Sequence, residues 1–171
     1  MDVFMAIETR RSIRKYRDAQ IPEDLLKRIL EAARLAPSAA NRQPWAMVVV
    51  QDPERKRRLA RACSGFDYVS GCAVFIVCFG DKRQKWCQVD GAIAMEHVAL
   101  TAWENGIGSC WIGQFNEDHL KSIIRIPPEW EIIACMTLGY PNETPARRPR
   151  KNLDDLVYRE VYTPHPGSPE L

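Results

Sequence analysis

The sequence lacks most of the features that assign a function quickly. No apolar run approaches the roughly 20 residues that span a bilayer, and the opening stretch Met1–Glu8 is too short and too acidic for a secretory leader. A cytoplasmic protein is therefore expected, with no membrane partner. The six cysteines, Cys63, Cys72, Cys78, Cys87, Cys110 and Cys135, include no CxxC pair, so their spacing does not describe a zinc site. Cys78 sits inside the apolar run Val74–Phe79, and buried free thiols are the expected state. The three histidines, His97, His119 and His165, form no triad pattern. Internal repeats and low-complexity tracts are absent. So is charge of one sign: 24 basic residues against 22 acidic ones leave a net charge of +2, too little to suggest nucleic acid as a partner. Any functional positive charge must be local.

What is present has the size and make-up of one domain over residues 1–171, with 46% hydrophobic and 27% charged residues. Residues 1–9 read as a short helix with Val3, Phe4 and Ile7 on one side. Ile21-Pro22-Glu23-Asp24 opens a second helix, because proline suits a first turn and acids suit the positive end of the dipole. Leu25, Leu26, Ile29, Leu30 and Ala33 keep helical spacing until Pro37 stops it. Strands are expected at 46–50, 73–79, 110–113 and 131–138, and 73–79 is apolar enough to be buried on both faces. A basic helix falls at 54–62, and another helix runs from Asn116 to about Arg125. The helix at 87–105 is apolar almost all round, through Ala92, Ile93, Met95, Val98, Leu100 and Trp103. Such a helix must be buried on more than one side, and a second subunit is a natural source of the extra surface. From Gly139 the composition turns to Pro, Arg and Asn, and about 140–171 reads as an arm that wraps a neighbour. Alternating strands and helices give a layered α/β or α+β domain with four or five strands.

Four segments carry chemistry. Arg10-Arg11-Ser12-Ile13-Arg14-Lys15-Tyr16 packs four basic side chains and a hydroxyl into six residues. Guanidinium forks grip phosphate bidentately, and serine adds a donor. Taken alone the segment is more often a solvated basic turn. Pro37-Ser38-Ala39-Ala40-Asn41-Arg42-Gln43-Pro44-Trp45 is a stiff loop of small residues that lets a flat ligand approach its backbone, with amides at Asn41 and Gln43. Gly106-Ile107-Gly108-Ser109-Cys110-Trp111-Ile112-Gly113 is not GxGxxG, and it follows a helix into a strand, the reverse of the dinucleotide-binding order. Arg147-Arg148-Pro149-Arg150-Lys151 is a late basic run, by itself a solvated face.

Together, in this order, the four segments resemble the nitroreductase family of flavoproteins over about residues 1–160. The resemblance implies an α+β fold with a central mixed β-sheet flanked by helices, a homodimer with exchanged C-terminal arms, and non-covalent FMN in clefts at the interface. It implies that Arg10, Arg11 and Ser12 contact phosphate and ribityl, and that Arg148 and Arg150 close on the phosphate. Arg14 lies near the pyrimidine edge, where a cation stabilises the anionic reduced ring. Pro37, Ser38, Ala39, Asn41 and Gln43 approach from the partner, and the backbone of Trp111, Ile112 and Gly113 faces flavin N5. No catalytic side chain is implied. NAD(P)H donates a hydride through the flavin to a nitroaromatic, quinone or similar small acceptor. The segment at 63–88 is shorter than in many relatives, and no flavin contact is assigned there.

Two other readings remain open. One keeps the flavin but makes the protein a specialised enzyme, for flavin fragmentation or reductive dehalogenation, or a flavin-binding protein. The other is a nucleic-acid module built on Arg55, Lys56, Arg57, Arg58 and Arg61, which no recognised motif supports.

Overall fold

The computed structural model of the protein describes residues 1–162. His165 and the last part of the expected arm, residues 163–171, lie outside them.

Four strands form one sheet: β1 (Trp45–Val50), β2 (Val74–Asp81), β3 (Gly108–Ile112) and β4 (Trp130–Gly139). Their order is β1-β2-β4-β3, and each neighbouring pair is antiparallel. Among the described residues, the mixed character implied by the resemblance is confined to a parallel bridge between Ser12 and Ser109. β2 and β4 are the inner strands, which is why their side chains are apolar on both faces. Ile76, Cys78, Ala134, Met136 and Leu138 point into one layer, and Phe75, Val77, Ile132 and Cys135 into the other.

The first layer is closed by α2 (Glu23–Arg34) and α5 (Cys87–Glu104). Leu26, Ile29 and Ala33 of α2 meet Met95, Val98, Ala99 and Ala102 of α5 over the sheet. The second is closed by α3 (Pro53–Ala62), α4 (Asp67–Gly71) and α6 (Glu117–Ile124), through Leu59, Val69, Leu120 and Ile123. α1 (Val3–Thr9) lies against α5, with Trp103 Nε1 donating to Thr9 Oγ1 at 2.9 Å. Helix starts are set by side chains that accept backbone N–H groups: Asp2 for α1, Asp52 for α3 and Asn116 for α6.

Two apolar faces differ from expectation. In α5, Met95 and Val98 are fully buried inside the chain's own core. The sheet and α2 therefore take up most of the helix, and the face left half-exposed is Ala92, Ile93, Leu100 and Trp103. In α1 the side carrying Val3, Phe4 and Ile7 turns outward, 72%, 74% and 56% exposed, and Ala6 alone is buried. No described helix is long and apolar enough to cross a membrane.

Candidate functional site

The chain leaves α1 at Arg10 in an extended conformation and runs beside β3. Ser12 bridges Ser109, and Ile13 N donates to Ser109 O at 2.9 Å. Ile13 is fully buried, and it needs the bare backbone of Gly108. A Cβ there would lie 2.6 Å from Ile13 Cγ1. Farther along, the Tyr16 hydroxyl donates to Ile13 O at 2.6 Å and lies 2.7 Å from Thr137 Oγ1. Burial pushes this phenol far above its ordinary value, so it stays a neutral donor. Buried Ile13 and half-buried Tyr16 fix the segment, and Arg10, Arg11, Ser12 and Arg14 are left to face a ligand.

They face one cleft of about 440 Å³. Arg10, Arg11, Ser12 and Arg14 line it from this segment, Arg147, Arg148 and Arg150 from the stretch after β4, and Phe4, Ile7 and Glu8 from α1. Residues 4–14 and 145–150, far apart in sequence, thus meet at one place. Six arginines stand against one glutamate, whose carboxylate pairs with Arg147 at 3.3 Å. The arginines are not equivalent. Arg11 donates to the carbonyls of Glu8 and Arg10 at 2.9 and 2.8 Å, closing the end of α1. Arg150 leans on the carbonyls of Arg148 and Pro149. Arg10 makes an ion pair through Nε with Glu96 Oε1 at 3.3 Å. Glu96 Oε2 accepts from Trp111 Nε1 at 3.2 Å, so Trp111 joins the wall of basic residues indirectly. The backbone N–H groups of Arg14 and Lys15 both donate to Glu143 Oε1. Burial raises the Tyr68 phenol above its usual range, and the Arg14 guanidinium beside it pulls the other way.

The Pro37–Gln43 loop lies elsewhere on the same chain and does not line this cleft. It forms a single tight turn over Ala39–Asn41, with left-handed backbone at Ala40, Asn41 and Gln43 (φ 50°, 53° and 49°). Such angles are costly for residues other than glycine. They are held by two local acceptors. Ala39 N donates to both oxygens of the buried Asp90 at 3.2 Å, and Gln43 N to Ser38 Oγ at 3.0 Å. Pro37, Asn41 and Gln43 are exposed. Ile112 turns its side chain into the second core layer, so only its backbone is available, next to the exposed Gly113.

The cleft therefore gathers Arg10, Arg11, Ser12, Arg14, Arg148 and Arg150 and leaves Pro37, Ser38, Ala39, Asn41 and Gln43 apart. The sequence reading missed Asp90, Glu96, Glu143 and Tyr68. A signal existed for the first two, because acids in a helix that is otherwise apolar are rarely idle. Its cationic donors, hydroxyl and size fit a dianionic phosphate on a polyol chain.

Helices layered on both faces of a four-stranded antiparallel sheet, with a cationic cleft between residues 4–14 and 145–150, define an α+β protein with a cleft suited to an anion. The sequence model of the nitroreductase family matches residues 7–66 and 68–140, and the chain belongs to that family. A relative from Methanothermobacter thermautotrophicus, provisionally named an NADH dehydrogenase/NAD(P)H nitroreductase, is 38% identical over 86% of this chain and 82% of its own. A nitroreductase family protein from Clostridium novyi superimposes with a TM-score of 0.77 at 32% identity, covering 82% of this chain and 87% of that one. An FMN-dependent nitroreductase from Clostridium difficile does so with a TM-score of 0.78 at 29% identity, over 94% and 98% of the two chains.

Proposed function

We propose that the protein is a cytoplasmic, homodimeric oxidoreductase that holds FMN non-covalently in the basic cleft. It takes reducing equivalents from NAD(P)H and passes them to a small acceptor such as a nitroaromatic or quinone. The observation that carries this reading is the meeting of Arg10, Ser12, Arg148 and Arg150, far apart in sequence, around one cleft. The C. difficile relative is described as FMN-dependent, which matches the ligand chemistry of the cleft. Six buried free thiols suit a reducing compartment.

Bound FMN would supply the two-electron chemistry. The chain's own residues bind and orient. Arg10, Arg148 and Arg150 hold the phosphate by charge-assisted hydrogen bonds, and the Ser12 hydroxyl adds a neutral donor. Arg11, turned to the backbone of α1, shapes the wall and adds charge. Arg14 keeps a cation at the pyrimidine edge, where negative charge accumulates on reduction. The strained Pro37–Gln43 loop and the arm after Gly139 belong to the interface. Pro37, Ser38, Ala39, Asn41 and Gln43 reach the partner's cleft, a reading supported by their not lining their own. The backbone at Trp111, Ile112 and Gly113 borders the reacting edge.

The test is direct. Purified protein should be yellow, release unmodified FMN on heating, be bleached by NADH or NADPH, and turn over a nitroaromatic or quinone. Colourless protein that fails to take up added FMN overturns the reading. Flavin that is bound and reduced without acceptor turnover moves the protein to the specialised flavoenzymes.

A further inference from the structure

Glu96 is the carboxylate on α5 that pairs with an arginine lining the cleft. It does not line the cleft itself. Its two oxygens have different partners: Oε1 pairs with Arg10 Nε at 3.3 Å, and Oε2 accepts from Trp111 Nε1 at 3.2 Å. The contact at Arg10 Nε is an ion pair, and neither terminal nitrogen of the guanidinium has a hydrogen-bond partner among the described residues, which leaves them as a planar fork for a phosphate. An arginine has several rotatable bonds, and an untethered one loses that freedom when it grips a ligand. A helix-borne carboxylate that holds Nε removes part of that loss beforehand. α5 is the most deeply packed helix, with Met95, Val98 and Ala99 fully buried around Glu96, so it is a rigid mount.

We propose that Glu96 is a positioning residue for the phosphate end of the cleft: it aims the free fork of Arg10 at the ligand and ties that aim to strand β3 through Trp111. This role rests on the FMN reading. A competing effect has the opposite sign, since a carboxylate near a phosphate repels it. Arg10 and Glu96 side chains are 24% and 38% exposed, so water and salt screen that repulsion, and orientation prevails.

The experiment compares FMN and riboflavin dissociation constants for wild type, Glu96→Gln, Glu96→Ala, Arg10→Ala and the Arg10→Ala/Glu96→Ala double variant. Glu96→Ala should narrow the preference for FMN over riboflavin by several-fold, up to about tenfold. Glu96→Gln keeps one acceptor oxygen and should fall between Glu96→Ala and wild type. In the Arg10→Ala background, removing Glu96 should change the preference no further, because its effect passes through Arg10. A preference that Glu96→Ala leaves intact or widens overturns this role alone. So does an equal further loss in the Arg10→Ala background. A wild-type protein that does not prefer FMN to riboflavin overturns the cofactor reading, and this role with it.

Discussion

At the scale of single residues, the arginines of the cleft divide by what they already hold. Arg10 and Arg150 keep donors for a ligand, whereas Arg11 is committed to the end of α1. A charge-assisted hydrogen bond contributes about 1.5–3 kcal/mol. Arg10→Ala or Arg150→Ala should therefore weaken FMN binding by roughly tenfold or more, with little effect on riboflavin, as fluorescence titration would show. Equal losses for both ligands would mean that these residues do not hold phosphate. Crowding sets a second expectation. A Cβ on Gly80 would collide with Cys87 Sγ, so Gly80→Ala should destabilise the fold by about 1–3 kcal/mol in urea. Combined with Cys87→Ala, the cost should be less than additive. Additive costs would show that the sulfur is not the obstacle. The thiols also have a pH signature. Burial pushes Cys72 and Cys78 from the ordinary value near 9 up to about 12. A group that holds its proton more tightly when folded stabilises the fold below its unfolded value and loses that contribution as pH rises toward the folded one. Stability should thus decline between about pH 9 and pH 12. At pH 8 the native protein should resist iodoacetamide at both positions and react once unfolded.

At the scale of elements, Asp90 is to the Pro37–Gln43 loop what Glu96 is to the cleft. Asp90→Ala leaves the Ala39 N–H without its acceptors, a change worth about 1–3 kcal/mol. It should also release FMN although Asp90 does not touch it, whereas Asp90→Asn, which keeps an acceptor oxygen, should be milder. Full flavin retention in Asp90→Ala would separate the loop from the site. The elements themselves were largely legible in the sequence, because helical and strand periodicity sit close to the observed bounds. α4 was not: at five residues, Asp67–Gly71 is too short to show a period. The loop's left-handed residues were equally silent, since Ala40 and Gln43 are not residue types that announce such backbone. The basic segments were legible as phosphate binders only as a series. The roles of Asp90 and Glu96 were not legible because their partners, the Ala39 N–H, Arg10 and Trp111, are brought to them only by the fold.

At the scale of the whole molecule, the burial of Met95 and Val98 is instructive. A helix apolar on all sides shows that much area is buried, and cannot show whether the chain or a partner buries it. Here Met95 and Val98 face the chain's own core, so a charge at either should unfold the chain. Exposed apolar residues lie on α1, at Leu35, at Trp86 and Val89 around the start of α5, and along the stretch after β4 at Leu153, Leu156, Val157 and Val161. If those bury one another in a dimer that shares its clefts, assembly and FMN binding are coupled by mass action. Leu156→Glu should then dissociate the protein and release flavin together, with the fold retained, in sedimentation read at the flavin band. A folded monomer that keeps its FMN would refute the shared site.

The run from Ser12 to Tyr16 has a further consequence. β3 is an outer strand, paired through β4 alone within the sheet, and this run lies along its free side through the Ser12–Ser109 bridge and the Ile13 N–H. Open strand margins invite pairing with strands of other molecules, the first step of aggregation. The segment proposed to grip the ligand is therefore part of a cover over that margin. Trimming the chain to Arg17 would do more than remove arginines. It would bare the backbone at Ser109, and loss of cofactor and loss of solubility would arrive in the same step.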